Sequence, residues 1–176
     1  MSRAELVWRT AEAADASVVI AALDDWWQHE HMVHGVCPQL LDHVGDTCLI
    51  VEERGLLVAF LVGFMSQRHP DAGYVHYMGV RPDRRSGGIG AEMYTRFAAL
   101  TRERGRTKVM AEIGAWNARS IAFHQRVGFV LKPGDEVVGG LPVIQDTTGH
   151  GVDYVEAVWT LGDASRDGPP AAGHSR

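Results

Sequence analysis

The chain has 176 residues, of which 45% are hydrophobic and 22% are charged, and its formal net charge at pH 7 is −5. This composition is typical of one globular domain with a sizeable core, and it excludes a disordered chain. The acidic balance excludes a general basic surface for nucleic acid or an anionic membrane, so we expect neither partner. Any site for an anion must therefore be local.

Two features of the sequence concern its location in the cell and its cysteines. The longest apolar run, residues 56–65, is too short to cross a bilayer, and residues 1–10 carry charges where a signal peptide needs an apolar stretch. The sequence therefore predicts a cytoplasmic protein. Cys37 and Cys48 form no paired-cysteine motif, which predicts reduced, structural thiols without a disulfide or a zinc site.

Strand-like and helix-like patterns alternate along the chain. Strands are indicated by runs rich in Val, Leu, Ile and Phe, and helices by apolar residues three or four positions apart. The predicted order is a strand at 6–9, a helix at 15–27, strands at 47–52, 56–66 and 73–80, a helix at 88–103, a strand at 107–113, a helix at 117–128, and strands at 128–131 and 152–161. This order predicts one α/β domain with a mixed sheet over residues 5–161. Residues 162–176 lack any large apolar residue and are predicted to form a flexible tail.

Residues 84–92, RRSGGIGAE, place three glycines in four positions between a predicted strand and a predicted helix. Glycine costs backbone entropy, so such a cluster needs a conformational or contact reason. The first amides of a helix have no internal acceptor and lie at the positive end of its dipole, where a loop without side chains lets a phosphate approach. A pyrophosphate fits this position, and Arg84 and Arg85 add local positive charge. The alternative is a tight solvated turn, and the spacing matches neither a P-loop nor the Rossmann fingerprint.

Two motifs resemble those of one enzyme family. Arg85-Ser86-Gly87-Gly88-Ile89-Gly90 resembles the pyrophosphate loop of the GCN5-related N-acetyltransferases (GNAT), and Val80-Arg81-Pro82 stands where that family ends its fourth strand. Residues 117–129, NARSIAFHQRVGF, resemble a later family helix that opens on Asn and closes on Gly-Phe. With His124 where many members have a tyrosine, the chain is nearest in motif to the phosphinothricin acetyltransferase-like branch. The resemblance implies a single-domain GNAT-like α/β fold, with a mixed, mostly antiparallel central sheet flanked by helices and splayed between strands four and five.

The resemblance also implies the co-substrate, acetyl-CoA, and the residues that bind it. The pyrophosphate would be bound by the backbone amides of Arg85, Ser86, Gly87, Gly88, Ile89 and Gly90. The pantetheine arm would be hydrogen-bonded across the splayed gap by the backbone of Met78, Gly79 and Val80. Gly79 fits a bulge at which the arm could lie close. Asn117 would contact the co-substrate near its thioester, and simple capping of the helix is an equal alternative.

Acyl transfer to an amine needs an uncharged nitrogen, a polarised carbonyl and a proton for the departing thiolate. The first candidate for the base is His76, on strand four beside the gap. Glu112, on strand five, is the competing candidate, because burial would raise its pKa into a useful range. His124 is the candidate acid for the thiolate. Both histidines have a structural alternative as packing or hydrogen-bonding residues.

The acceptor is predicted to lie between the first helix and the sheet. Trp26, Trp27 and Glu30 are candidate contacts for a cationic amine, and the alternative for Trp26 is a place in the helix core. By the two-residue period of a strand, Tyr74 would share one face with His76 and Met78 and line the same surface. His29, His31 and His34 fit no closed zinc motif, so we expect no metal.

The predicted function is transfer of the acetyl group of acetyl-CoA to a primary amine of a small molecule. One alternative is N-acetylation of a protein or peptide, which would favour an open groove. An alternative of another class is a non-catalytic acyl-CoA-binding module. Dimers are common in the resembled family, so a homodimer is open alongside a monomer.

Overall fold

The fold is built on one large sheet with helices on both faces. The computed structural model describes residues 5–27, 36–146 and 151–162. The strands are β1 (Leu6–Thr10), β2 (Leu49–Glu53), β3 (Leu56–Met65), β4 (Ala72–Val80), β5 (Lys108–Gly114), β6 (Val130–Leu131), β7 (Glu136–Val138), β8 (Leu141–Val143) and β9 (Tyr154–Thr160). The helices are α1 (Ala16–Trp27), α2 (Pro38–Val44), α3 (Ile89–Glu103) and α4 (Ala118–Val127).

Seven of the described strands form a sheet in the order β1-β2-β3-β4-β5-β9-β6, and β7 and β8 form a separate hairpin. β4 and β5 are parallel, and every other neighbouring pair is antiparallel. The parallel pairing runs only from Ala72 with Lys108 to Val75 with Ala111. Beyond these residues β4 stays on β3 and β5 stays on β9, so a gap opens between them. The predicted mixed, mostly antiparallel sheet with splayed strands four and five is confirmed.

Helices cover both faces of the sheet because the apolar residues of each helix recur on one side. Met93 and Phe97 of α3 are fully buried in a cluster on one face, and Val19 and Leu23 of α1 are fully buried in a second cluster on the other. Burial of one such side chain contributes about 1.5–3 kcal/mol relative to its exposure. None of the helices in the described segments is long and apolar enough to cross a bilayer.

One helix and one hairpin of the structure were not predicted from the sequence. α2 spans seven residues and begins at Pro38, a position at which a helix needs no backbone N–H donor. β7 and β8 span three residues each, and the turn between them, Gly139-Gly140, has positive φ at both positions. Segments this short offer too few residues for a hydrophobic period to be recognised.

A β-bulge in β4 lies at His76. Val62 of β3 pairs with Tyr77 and Gly63 pairs with Val75, so His76 is the extra residue on β4. The bulge inverts the alternation of side chains beyond it. Tyr77 consequently packs against the cluster around α1, and Met78 packs against the cluster around α3. The prediction that Met78 shares a face with Tyr74 and His76 is therefore wrong, because a simple two-residue period does not survive a bulge.

Gly79 does not form the bulge that was predicted for it. It pairs regularly with Phe60 in the β3–β4 register. A Cβ at Gly79 would lie 2.6 Å from the Phe60 ring and 3.2 Å from the Trp26 ring. The missing side chain therefore makes room for two packed aromatic rings on the α1 side of the sheet.

Candidate active site

A cavity of about 480 Å³ opens where β4 ends, between α1, the loop before α3, and α4. Its lining combines apolar residues from the predicted co-substrate cleft with three tryptophans and four arginines. The lining residues are Trp26, Trp27, Met78, Val80, Arg84, Arg85, Ser86, Gly88, Ile89, Gly90, Ala91, Trp116, Asn117, Arg119, Ser120, Phe123 and Arg126. The structure thus brings most of the predicted co-substrate residues together around one space.

The loop between β4 and α3 presents its backbone to this cavity. Ser86 has a φ of 73° and Gly88 a φ of 82°, both in the left-handed region. A Cβ at Gly88 would meet no atom within 4 Å, so the glycine satisfies a backbone conformation and leaves the approach open. No side chain in the described part of the chain caps the first amides of α3. These amides lie at the positive end of the helix dipole, where an anion is stabilised.

The first backbone N–H groups of α4, unlike those of α3, have a side-chain cap. The Oδ1 atom of Asn117 accepts a hydrogen bond from the Ser120 N–H at 3.0 Å. The capping alternative for Asn117 is therefore confirmed. Because Asn117 also lines the cavity, its contact with the co-substrate stays a prediction.

Arg85 links the two walls of the cavity. Its Nε donates to the carbonyl of Val80 at 3.0 Å, and its Nη2 donates to the carbonyl of Trp26, at the end of α1, at 3.1 Å. Burial lowers the pKa of Arg85, and the nearby Arg119 guanidinium lowers this pKa further. The part of this shift that comes from Arg119 reflects repulsion between two cations, which a bound anion would relieve.

Arg84 adds a second cation to the loop. It forms an ion pair with Glu53, and its buried Nε has no hydrogen-bond partner among the described residues. A buried donor without a partner costs free energy, and a phosphate oxygen is an acceptor that could satisfy it.

His124 faces the protein interior. Its Nδ1 lies 2.8 Å from the carbonyl oxygen of Ser120, and its Nε2 lies 2.6 Å from the hydroxyl of Tyr94. A carbonyl only accepts, so Nδ1–H donates to Ser120 and the neutral ring accepts the Tyr94 O–H at Nε2. Burial lowers the pKa of His124, which favours this neutral form. Both ring nitrogens are thus used inside the protein, an arrangement that favours the packing alternative over the predicted acid.

A second surface lies on the sheet beside the gap, and we call it the acceptor face: Tyr74, His76, Glu112 and Glu156. The Tyr74 hydroxyl lies beside the Glu112 carboxylate, and each group affects the pKa of the other. Glu112 stands directly opposite Glu156 in the β5–β9 pair. Partial burial raises the pKa of Glu112, the Glu156 charge raises it further, and the Tyr74 hydroxyl opposes the rise. The two predicted bases therefore lie on one face, outside the lining of the cavity.

Aromatic rings connect the acceptor face to the cavity. The His76 ring lies 4.1 Å from the Tyr77 ring and 6.2 Å from the Tyr74 ring. Tyr77 in turn contacts Trp27, at 5.8 Å between centroids, and Trp27 lines the cavity. The rings form a continuous wall from the co-substrate cavity to Glu112.

The predicted acceptor contacts lie in different surroundings. Trp26 is only 9% exposed and stacks on Phe60 at 5.7 Å, which fits the core alternative stated for it. Trp27 is half-buried at the cavity. Glu30 lies outside the described residues, as do His29, His31 and His34. No group of His, Cys, Asp or Glu that could hold a metal ion occurs within residues 5–27, 36–146 and 151–162.

Several lining residues of this site were missed in the sequence, among them a tryptophan and two arginines. Trp116, Arg119 and Arg126 line the cavity from the beginning and the exposed side of α4. A signal for them exists, because positions 116, 119, 123 and 126 recur at helical spacing and so share a face of the predicted helix. Charged residues on a helix face are also typical of a solvated surface, so the spacing alone did not identify Arg119 and Arg126 as site residues.

The splayed sheet and the arginine-lined cavity fit the class of acyl-CoA-dependent transferases, whose motifs the sequence resembles. The chain belongs to the acetyltransferase (GNAT) family, whose family model matches residues 8–129. It is therefore an acyltransferase, and its acyl donor is acetyl-CoA. No curated protein matches the chain significantly in sequence.

Solved structures share the fold at low sequence identity. Diaminobutyrate acetyltransferase EctA from Paenibacillus lautus, in complex with its substrate and coenzyme A, is 23% identical, with a TM-score of 0.68 over 92% of this chain and 98% of that chain. YncA from Salmonella typhimurium, with its cofactor acetyl-CoA, is 19% identical, with a TM-score of 0.62 over 95% and 99%. The ribosomal-protein-S18-alanine N-acetyltransferase from Escherichia coli is 16% identical, with a TM-score of 0.60 over 93% and 98%. These likenesses confirm the GNAT-like fold.

Proposed function

We propose that the protein transfers the acetyl group of acetyl-CoA to a primary amine of a small molecule, by direct attack with general acid/base assistance. The observation that carries the proposal is the acceptor face at the open gap, which aromatic rings connect to the cavity that contains the uncapped N-terminus of α3. Acyl transfer between two substrates needs both halves of this arrangement, one for the donor and one for the amine.

The residues around the loop fit the donor. The pyrophosphate would be held by the backbone amides of residues 85–90, with charge supplied by Arg84 and Arg85. The splay leaves the backbone of residues 76–80 without β5 as a partner, so Met78 and Val80 could bond the amides of the pantetheine arm. The Val80 carbonyl already accepts from Arg85, which leaves fewer free groups there than the family resemblance implies. The bound donor supplies the activated thioester.

Glu112 is the base that the geometry favours. Its raised pKa means that the carboxylate binds a proton more readily than an ordinary surface glutamate. The Tyr74 hydroxyl lies beside this carboxylate at the edge of the gap. His76, on the same face, is the alternative base, and its place at the bulge leaves it outside the regular β3–β4 pairing.

The acid for the departing thiolate is less well supported. His124 would have to release its hydrogen bond with Tyr94 or with Ser120 before it could reach a sulfur atom in the cavity. A water molecule, or the thiolate leaving as such, requires no such rearrangement. The acid role of His124 therefore stays a prediction with an explicit structural cost.

A small-molecule acceptor is favoured by the chemistry of the acceptor face. Carboxylates and aromatic rings together attract an organic ammonium group through charge and cation–π contact. A peptide N-terminus or lysine is the second candidate, and the related folds include enzymes of both kinds: one in complex with diaminobutyric acid and one named for a ribosomal protein. The cytoplasmic location and the homodimer stay predictions.

The test is to incubate the protein with acetyl-CoA and follow free thiol over two acceptor panels, one of small primary amines and one of peptides. Thiol release with small amines, together with mass spectrometry of an N-acetylated product, would support the proposal. Turnover confined to peptides would replace it with the peptide alternative. Donor binding without thiol release over both panels would contradict the proposed acceptors.

A further inference from the structure

Two arginines on α4 form a cation surface that the donor loop does not explain. Arg119 and Arg126 both line the cavity, and their separation of seven positions corresponds to about two helical turns, or about 10 Å along one face. Arg119 lies close enough to Arg85 to lower the pKa of Arg85. The positive charge of the loop therefore continues along α4.

Neither arginine has a counter-charge in the described part of the chain. The carboxylates near the loop are used by other arginines: Glu53 by Arg84, Asp83 by Arg81 and Glu92 by Arg96. Arg119 and Arg126 have no hydrogen bond or ion pair with any described residue. Both guanidinium groups are thus free to bind an anion in the cavity.

The position of Arg119 also opposes the local electrostatics of its helix. It lies in the first turn of α4, two residues after the Asn117 cap, at the positive end of the dipole. A cation there destabilises the helix, and residues that violate such a local rule are often found at functional sites. Arg126, in the last turn, suits the dipole, but it too lines the cavity.

Coenzyme A carries two separate anionic centres, a pyrophosphate on the 5′ side of its ribose and a monophosphate on the 3′ oxygen. The loop amides and Arg85 are assigned to the pyrophosphate, which leaves the 3′-phosphate without an assigned partner. We propose that Arg126, with Arg119 between it and the loop, binds the 3′-phosphate of the donor. This inference rests on the proposed assignment of residues 85–90 to the pyrophosphate.

One consequence concerns the choice of acyl donor. An acyl group on the phosphopantetheine arm of a carrier protein has the same thioester but no pyrophosphate, no adenosine and no 3′-phosphate. A site that binds the 3′-phosphate therefore adds to the preference that the pyrophosphate loop already gives for free coenzyme A thioesters over carrier-protein thioesters. A monophosphate carries roughly −1.5 to −2 charges near neutral pH, so its loss removes a substantial attraction to two arginines.

The experiment measures binding by isothermal titration calorimetry, with coenzyme A and 3′-dephospho-coenzyme A as the two probes. The unmodified protein should bind coenzyme A about tenfold or more tightly than the dephospho form, the range of a charge-assisted contact. Arg126→Gln should lower the affinity for coenzyme A to that for the dephospho form and leave the affinity for the dephospho form unchanged. Arg68→Gln, which removes the same charge from the opposite end of β4, should leave both affinities unchanged.

Two results would overturn the inference: equal affinities of the unmodified protein for the two probes, or an equal loss of both affinities in Arg126→Gln. Failure of the unmodified protein to bind either probe would instead contradict the pyrophosphate loop itself, and the inference with it. Thermal unfolding of each variant shows whether a lost affinity reflects a lost fold.

Discussion

The two ends of the site are built by different means. The donor end, residues 85–90 with α4, depends on local backbone conformation: a left-handed Gly88, uncapped amides and arginines. The acceptor face depends on long-range pairing: a bulge at His76 and a cross-strand pair of Glu112 with Glu156. The donor end is positive and the acceptor face is negative. A donor with phosphates and an acceptor with an amine each meet the opposite charge.

The largest expected effect is at the donor end. Gly88→Glu places a carboxylate where a phosphate should lie and also strains a φ of 82°, so coenzyme A binding should be abolished. Gly88→Ala carries a similar backbone cost of about 1–2 kcal/mol without the charge, and it should retain measurable binding. Calorimetry with coenzyme A, beside circular dichroism, checks both variants. Undiminished coenzyme A binding by a folded Gly88→Glu protein would show that the loop is an ordinary turn without a role in binding.

Substitutions on the acceptor face should change the turnover rate rather than the affinity for the donor. Glu112→Gln should lower kcat by roughly 10²–10⁴-fold, because a general base contributes about that much, with the KM for acetyl-CoA unchanged. His76→Ala should leave the shape of the pH–rate profile intact. Steady-state kinetics over a pH series separates the two residues. A fully active Glu112→Gln enzyme, with an altered profile in His76→Ala, would assign the base to His76.

His124 lies behind the donor end, and its loss should be visible in stability. His124→Ala leaves the buried Tyr94 hydroxyl without its partner, at a cost of about 1–3 kcal/mol and a lower Tm. Gln125→Ala, at the next, exposed position of α4, is the control and should keep the Tm.

The pH dependence of stability gives an independent check on His124. Its pKa is lowered in the folded protein, so the unfolded chain takes up the proton first and stability falls as the pH drops below the ordinary value of 6.5. His124→Gln should remove part of that acid-side loss. A variant with unchanged Tm but a strongly reduced kcat would instead support the predicted acid role.

The cross-strand carboxylate pair predicts a direction of pH shift. The Glu156 charge raises the pKa of Glu112, so Glu156→Gln should lower that pKa and move the acid limb of the kcat/KM profile to lower pH. Glu103→Gln, at the end of α3, removes the same charge at a distance and should leave the limb in place. An unshifted limb in Glu156→Gln would show that Glu112 does not control it.

The smallest expected effect separates folding from binding at the donor end. Arg119→Gln removes a cation from the first turn of α4 and should stabilise the unliganded protein by about 0.3–1 kcal/mol. The same change should weaken coenzyme A binding, because it removes charge beside the loop. Thermal unfolding with and without coenzyme A measures both. A lower Tm of the unliganded variant would mean that Arg119 is a structural residue.

The contrast between the two ends also explains which parts of the site could be predicted from the sequence. The loop was predictable because Gly88, the arginines and the following helix are neighbours in the chain, and local chemistry fixes their geometry. The Asn117 cap and the end of its helix at Gly128 were predictable for the same reason.

The acceptor face could not be derived in the same way. The bulge at His76 depends on how β3 pairs with β4, and it moved Met78 to the opposite face from the one predicted. Glu156 was not noticed, because its importance comes only from pairing with Glu112, 44 positions earlier in the sequence. The reason for Gly79, contact with Phe60 and Trp26, likewise arises from packing between distant segments. Such features need the register of the sheet, and one sequence does not contain it explicitly.

The most direct test of the two-ended site is a crystal structure with coenzyme A bound. The account predicts the pyrophosphate on the backbone amides of residues 85–90, the pantetheine arm in the gap between β4 and β5, and the sulfur atom directed toward Tyr74 and Glu112. A pyrophosphate bound away from this loop, or a sulfur atom directed away from the acceptor face, would contradict it.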